Sequence, residues 1–195
     1  MAGLLFIKMQ GGIAMNWLIA SDIHGSARWA EELVKRFDES GADRLLLLGD
    51  ILYHGPRNAL PEDYDPPKVA ALLNARAERI CCVRGNCDSE VDQMVLSFPI
   101  TADYAWLPLE SHLCFVTHGH VYSEEKLPRL SPGDLFLFGH IHIPRCEERG
   151  GITILNPGSV SIPKGGSERS YMKLFGSRFS WHRMDGTEYM HFQAE

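Results

Sequence analysis

The stretch "DRLLLLGD", Asp43–Asp50, sets four leucines in a row between a charged start and a Gly-Asp end. Successive side chains of a strand point to opposite faces, so a run apolar at every position suits a strand covered on both sides. We read it as a central strand of an α/β sheet. Upstream, "NWLIASDIHG" (Asn16–Gly25) is a second short apolar run that ends in polar residues. It is followed by "SARWAEELVKRFDESG", where Trp29, Leu33 and Phe37 recur at helical spacing and Gly41 supplies a stop. Downstream, the Pro- and Asp-rich loop "YHGPRNALPEDYDPP" leads to a helix, "PKVAALLNARAE", with Pro67 near its start. "RICCVRGN" then returns as a strand. The order is βαβαβ.

The second half differs. "HLCFVTHGH", "LFLFGHIH" and "GITILNPGS" are short β runs separated by loops, and "SYMKLFGSRFSWHRMDGTEYMHF" alternates around an Asp185-Gly186 hairpin signal. The pattern predicts an α/β sandwich of two packed sheets. At 195 residues and 45% apolar composition, one domain over residues 15–195 is expected. Residues 1–14, "MAGLLFIKMQGGIA", have a short apolar run without a basic leader or a small-residue cleavage pattern. They read as an N-terminal extension or a start-site artefact.

Charge and cysteine content bound the function. A formal charge of −6 with interspersed signs and no basic run argues against stable nucleic-acid binding. Five scattered cysteines do not make a disulfide framework, and a reducing cytoplasm fits them. No segment nears the roughly 20 apolar residues of a membrane span. Cys81 and Cys82, inside a strand, are expected to be buried as small apolar residues.

Five apolar runs each end in a group able to bind metal: "SDIHG", "LLGD", "VRGNCD", "FVTHGH" and "FGHIH". Strand ends of an α/β sheet gather at one rim, where ligand sites form. Asp22 and His24, like His140 and His142, are two apart and on an extended chain would project from one face, about 7 Å apart. With Asp50, Asn86 and His118 they make seven candidate ligands, too many for one tetrahedral zinc. Two ions sharing Asp50 would use them all. Carboxylates packed among imidazoles at a partly buried rim also call for a compensating cation. The mixed donor set suits Mn²⁺, Fe or Zn²⁺ better than Ca²⁺ or an iron–sulfur cluster. Two such ions about 3.5–4 Å apart lower the pKa of a bridging water and clamp phosphoryl oxygens during in-line attack. Phosphoester hydrolysis is the natural chemistry.

In order, "SDIHG", "GDILYHG", "GNCD", "THGH" and "GHIH", spanning Ser21–His142, resemble the signature blocks of the calcineurin-like metallophosphoesterases. "GDILYHGPRNALPE", "VRGNCDSEVDQM" and "NPGSVSIPKGG" further resemble the YfcE-type bacterial phosphodiesterases of that superfamily. The resemblance implies a four-layer α/β/β/α sandwich of two mixed sheets flanked by helices. It implies two divalent metal ions, Mn²⁺ favoured and Zn²⁺, Fe or Ni as alternatives, with a bridging hydroxide attacking a small phosphodiester. It assigns Asp22, His24, Asp50 and His142 to one ion and Asp50, Asn86, His118 and His140 to the other. Two alternatives stand beside this reading: a phosphomonoesterase acting on a nucleotide or small metabolite, and a non-catalytic scaffold like the retromer subunit of the same fold.

One departure concerns Cys87, which stands where many members of the superfamily carry a histidine thought to protonate the leaving oxygen or steady the transition state. A thiol, with a reference pKa near ~8.5, is a weak donor, which predicts a preference for esters with acidic leaving groups. His54 in "YHGP" is a second candidate, facing substrate or holding its own loop. Arg57 and Lys164 read as solvated surface, and Asn156 and Ser159 as turn-shaping residues near the site. The aromatic segment "FPITADYAWLPLE" reads as a loop that, with the apolar start of the chain, is able to supply a contact patch for a homodimer or larger assembly.

Overall fold

The computed structural model describes residues 15–194, so the N-terminal extension lies outside the described residues. The first half is β1 (Trp17–Ala20), α1 (Ala27–Glu39), β2 (Arg44–Leu47), α2 (Pro66–Asn74), β3 (Ile80–Cys82) and the short α3 (Glu90–Val95). β1, β2 and β3 are parallel neighbours. Next, β4 (Tyr104–Pro108), β5 (Leu113–Thr117), β6 (Leu135–Leu137), β7 (Arg145–Arg149) and β8 (Ile152–Asn156) build a five-stranded sheet in the order β4-β5-β6-β8-β7. Its inner strands β5, β6 and β8 are parallel, and its two edges antiparallel. The chain then returns to the first sheet. β9 (Ser170–Phe175) pairs antiparallel with β1, and β10 (Arg178–Arg183) and β11 (Glu188–Gln193) extend it to six strands.

The four leucines divide as an interior strand requires. Leu45 and Leu47 face a core shared with Leu33 and Phe37 of α1 and Val69 and Leu73 of α2. Leu46 and Leu48 face the other way, onto a core that joins the two sheets through Val116, Leu137, Leu155 and Trp181. A third cluster, Phe115, Phe136 and Phe138 with Ile152 and Ile154, covers the far face of the second sheet. There the packing partners are Tyr122, Leu127, Leu130 and Ile141, from irregular segments. The result is two mixed sheets flanked by few helices, with α1 and α2 on the outer face of the six-stranded sheet.

Two expectations are corrected. The segment read as an aromatic loop contains β4, the edge strand of the five-stranded sheet, paired with β5 from Tyr104–Thr117 to Pro108–Leu113. Its alternation was obscured because the edge leaves Tyr104 and Trp106 exposed, so apolar residues stand on the wet side. The cysteines of β3 are not buried as expected: Cys81 is exposed and Cys82 half-buried. β3 is the last strand of its sheet. Cys81 pairs with Leu46 and shares its face, but at that edge the second sheet no longer covers it.

Candidate metal centre

The parallel strands of both sheets deliver their C-terminal loops to one rim. Ser21–Gly25 leaves β1, Leu48–Asp50 leaves β2, Val83–Asp88 leaves β3, His118–His120 leaves β5 and Gly139–His142 leaves β6. Open α/β sheets place ligand sites at this end. The expected extended geometry of the Asp22/His24 and His140/His142 pairs is not what brings them together. Asp22, His24, Asp50, His140 and His142 all have left-handed backbone, with φ of 59°, 50°, 55°, 65° and 60°. That conformation is rare outside glycine, though Asp and His enter it more often than most residues. It turns each loop sharply and aims the side chains inward. Glycine lets the loops touch: a Cβ on Gly49 would strike the Gly85 backbone, and one on Gly85 would strike Asp50.

The side chains meet in two groups, bridged by a third made of His24, Asp50 and Cys87. Asp22, His24 and His142 form one, and Asp50, His118 and His140 the other, the donor atoms of each lying within 4.8 Å of one another. His140 and His142, two residues apart, therefore part company. His24 Nε2 is 3.5 Å from Asp22 Oδ1 and 3.6 Å from Asp50 Oδ2, which ties the groups together. Asn86 joins the second through Oδ1, 3.1 Å from His118 Nε2. All seven expected ligands are thus brought to one rim.

Hydrogen bonding settles what the imidazoles present. Nδ1 of His24, His118 and His142 lies 2.9, 2.7 and 2.7 Å from the main-chain carbonyls of Tyr53, Leu48 and Ile162. Each Nδ1 therefore donates its proton to a carbonyl and turns Nε2 inward, the atom through which such a histidine binds metal once it is unprotonated. His24 Nε2 and His142 Nε2 are 3.3 Å apart, close enough to share one proton or one cation. Asp22 Oδ1 is buried with no hydrogen bond of sound geometry, although His142 Nε2 is 3.1 Å away. Something positive belongs between these atoms, and the donor set fits divalent cations.

The same demand appears in the titration of the side chains. Burial would raise the Asp22 carboxyl, but the imidazoles of His142 and His24 outweigh it and hold the carboxyl well below its usual range. Burial opposes a charged His118, but the Asp50 and Asp22 carboxylates push its pKa up to about 9. His140 moves the other way, to about 4, because it is desolvated and faces His118. The carboxylates thus recruit positive charge from the imidazoles themselves.

Residues behind the ligands hold the loops. Asp88 accepts from the backbone N–H groups of Asp50 and Ile51 at 2.9 Å and of Gly85 at 2.7 Å, locking the β2 and β3 loops to each other. Sequence reasoning passed over it, and its only signal was the aspartate ending "GNCD". Ser159 and Ser161 both donate to the Asp22 carbonyl, at 2.9 and 3.1 Å, and Asn156 Nδ2 donates to Gly139 O at 2.7 Å. The "NPGS" turn does shape the site.

A cavity of about 480 Å³ opens over the cluster, bounded by Asp50, Asn86, His140 and His142. Arg57 and Lys164, read as surface, line it too. Cys87 is half-buried on its wall, with its backbone N–H on Asp50 Oδ1 at 2.8 Å and its Sγ accepting from Asn86 Nδ2 at 3.2 Å. Burial, and then the nearby carboxylates, push its thiol up to about 12. His54 stands apart from this cavity, its ring packed edge-on against Tyr53 and Tyr64.

Comparison with known proteins gives a consistent picture. The chain is 55% identical over 160 residues to phosphodiesterase YfcE of Escherichia coli K12, covering 82% of this chain and 87% of that one. A solved structure of YfcE, characterised as a phosphoesterase from E. coli, superposes with a TM-score of 0.89 at 48% identity, over 93% of this chain and all of the other. Vacuolar protein sorting 29 of Cryptosporidium parvum shares the fold alone, with a TM-score of 0.58 at 18% identity over 93% of this chain and 100% of its own. Residues 15–175 match the profile of the calcineurin-like phosphoesterase superfamily domain, and they contain every loop that builds the rim, so the chain belongs to that superfamily.

Proposed function

We infer that this chain is a metal-dependent phosphodiesterase acting on small phosphoesters. One observation carries the reading: three imidazoles, each held at Nδ1 by a main-chain carbonyl, turn Nε2 onto two buried carboxylates. The name of the E. coli relative supports the diester class. We assign Asp22, His24, Asp50 and His142 to one divalent cation and Asp50, Asn86, His118 and His140 to a second, with Mn²⁺ the preferred metal. Bound there, such cations lower the pKa of water and neutralise phosphoryl charge.

The chain's own residues do the rest. The carbonyls of Tyr53, Leu48 and Ile162 fix the three imidazoles, so that no reorganisation is needed when substrate arrives. Arg57 and Lys164 offer positive charge from the cavity wall to the phosphate's non-bridging oxygens. The scaffold alternative loses weight because every ligand position holds a competent donor. No helix of the described residues is long and apolar enough to cross a membrane, and we propose a cytoplasmic enzyme. We also propose self-association through the exposed aromatic side of β4. The deciding experiment gives chelator-stripped protein Mn²⁺ and an aryl phosphodiester. Turnover that appears only with metal is expected, and its absence would overturn the reading.

A further inference from the structure

We propose that an apolar groove between α2 and α3, opening beside the metal centre, is a subsite for an apolar, aryl-like substituent of the phosphodiester. The proposal rests on the phosphodiesterase reading and specifies its substrate class. The groove has a volume of about 760 Å³, and its walls include Tyr53, Tyr64, Pro66, Pro67, Ala70 and Val95. That is the size and character of small-molecule sites, which are lined mainly by apolar and aromatic groups.

Three observations point to substrate as the occupant. First, Cys87 lines both the groove and the cavity over the cluster, so one molecule can span them. Second, Asn74, Ser89 and Asp92 along the groove already bond to other groups of the chain. Ser89 and Asp92 bond to each other's backbone in a capping box. Asn74 donates to Val95 O at 2.8 Å and accepts from Ser97 N at 2.8 Å. What they leave for a ligand is apolar surface. Third, charge divides the two spaces. Arg57 and Lys164 line the metal cavity, whereas no cationic side chain lines the groove. A phosphodiester with its anionic phosphate over the metals and an uncharged ring in the groove matches this division. A polyanionic strand does not. α3 adds to the case, because it buries none of its side chains yet carries Val91 at 69% and Val95 at 52% exposure, apolar surface left open next to a catalytic cavity.

The test uses the full-length protein loaded with Zn²⁺, with phenylphosphonate and methylphosphonate as probes that differ only in the apolar arm. Phenylphosphonate is expected to bind about tenfold tighter by calorimetry, as burial of one ring predicts. The preference should fall to near one in Ala71→Trp, which fills the groove from an exposed position on α2, and in Val95→Lys. As a readout free of variants, phenylphosphonate but not methylphosphonate should shift the Val91 and Val95 methyl resonances of the wild type. A wild-type preference near one, a preference retained in both variants, or methyl shifts absent with phenylphosphonate would each overturn the subsite. Turnover of 4-nitrophenyl methyl phosphate by the same wild-type sample separates the two levels. With turnover intact, any of these results removes the groove and leaves the phosphodiesterase. Without turnover, the hydrolytic reading falls and takes the proposal with it.

Discussion

The two halves of the candidate centre meet at Asp50 but are held in different ways. In the first, Asp22, His24 and His142 are almost fully buried, and both imidazoles are pinned by carbonyls. In the second, only His118 is so fixed. His140 turns its Nδ1 toward His118 Nε2 at 3.2 Å, and Asn86 is exposed, its amide meeting only His118 Nε2 at 3.1 Å and Cys87 Sγ at 3.2 Å, with no main-chain anchor. The first half is therefore preorganised and the second adaptable. That is a sensible division if substrate enters over the second half, where Arg57, Asn86 and Cys87 share a cavity.

The largest effect should come from the shared residue. Asp50→Ala removes a donor from both halves, and we expect activity to fall roughly 10²–10³-fold or more, with both metals lost by elemental analysis. Retention of either metal at full occupancy would show that the halves do not depend on Asp50. The comparison sharpens with His142→Ala against Asn86→Ala. The first should cost about 100-fold and resist rescue. The second should cost about tenfold and recover as Mn²⁺ is raised, because it weakens affinity at the adaptable half. Equal, unrescued losses in activity-versus-metal titrations would break the distinction.

Much of this was legible in advance, and the part that was not has physical causes. The leucine run 45–48 announced its two covered faces because strand alternation is a local property. The seven donors were legible because strand ends converge wherever the sheet lies. Their geometry was not. Left-handed backbone at Asp22, His24, Asp50, His140 and His142 depends on the packing of Gly49 against Gly85 and on loops fixed from elsewhere in the chain. Asp88 was hidden for the same reason, as its partners Asp50 and Ile51 lie 38 and 37 positions away. β4 and Cys81 were misread because an edge exposes residues that would be covered in the middle of a sheet.

Asp88 gives the next test, on stability. Truncation in Asp88→Ala would strand three backbone N–H groups at the junction of the β2 and β3 loops. A destabilisation of roughly 2–4 kcal/mol is expected from denaturant midpoints, with metal affinity falling further at the second half than at the first. Cation binding should work in the opposite direction. At one hundred times its Kd a single metal adds about 2.7 kcal/mol, so the thermal midpoint of chelated protein should rise by several degrees on adding Mn²⁺. An unchanged midpoint would place metal binding outside the folded centre.

The smallest effect is one of selectivity, and it falls on the adaptable half. Cys87 presents a half-buried thiol beside Asn86, a weak donor where an imidazolium would be a strong one. A leaving group that departs readily without a proton is indifferent to this, and an alkoxide is not. Wild type should therefore favour aryl over alkyl phosphodiesters, and Cys87→His should narrow the gap by raising kcat on the alkyl ester, by a factor of about 10 to 100 if the imidazole acts as a general acid. The aryl rate is the internal control. If it rises as much as the alkyl rate, the histidine has improved metal or phosphate binding in the adaptable half rather than protonated the leaving oxygen, and the chemical role assigned to position 87 is wrong.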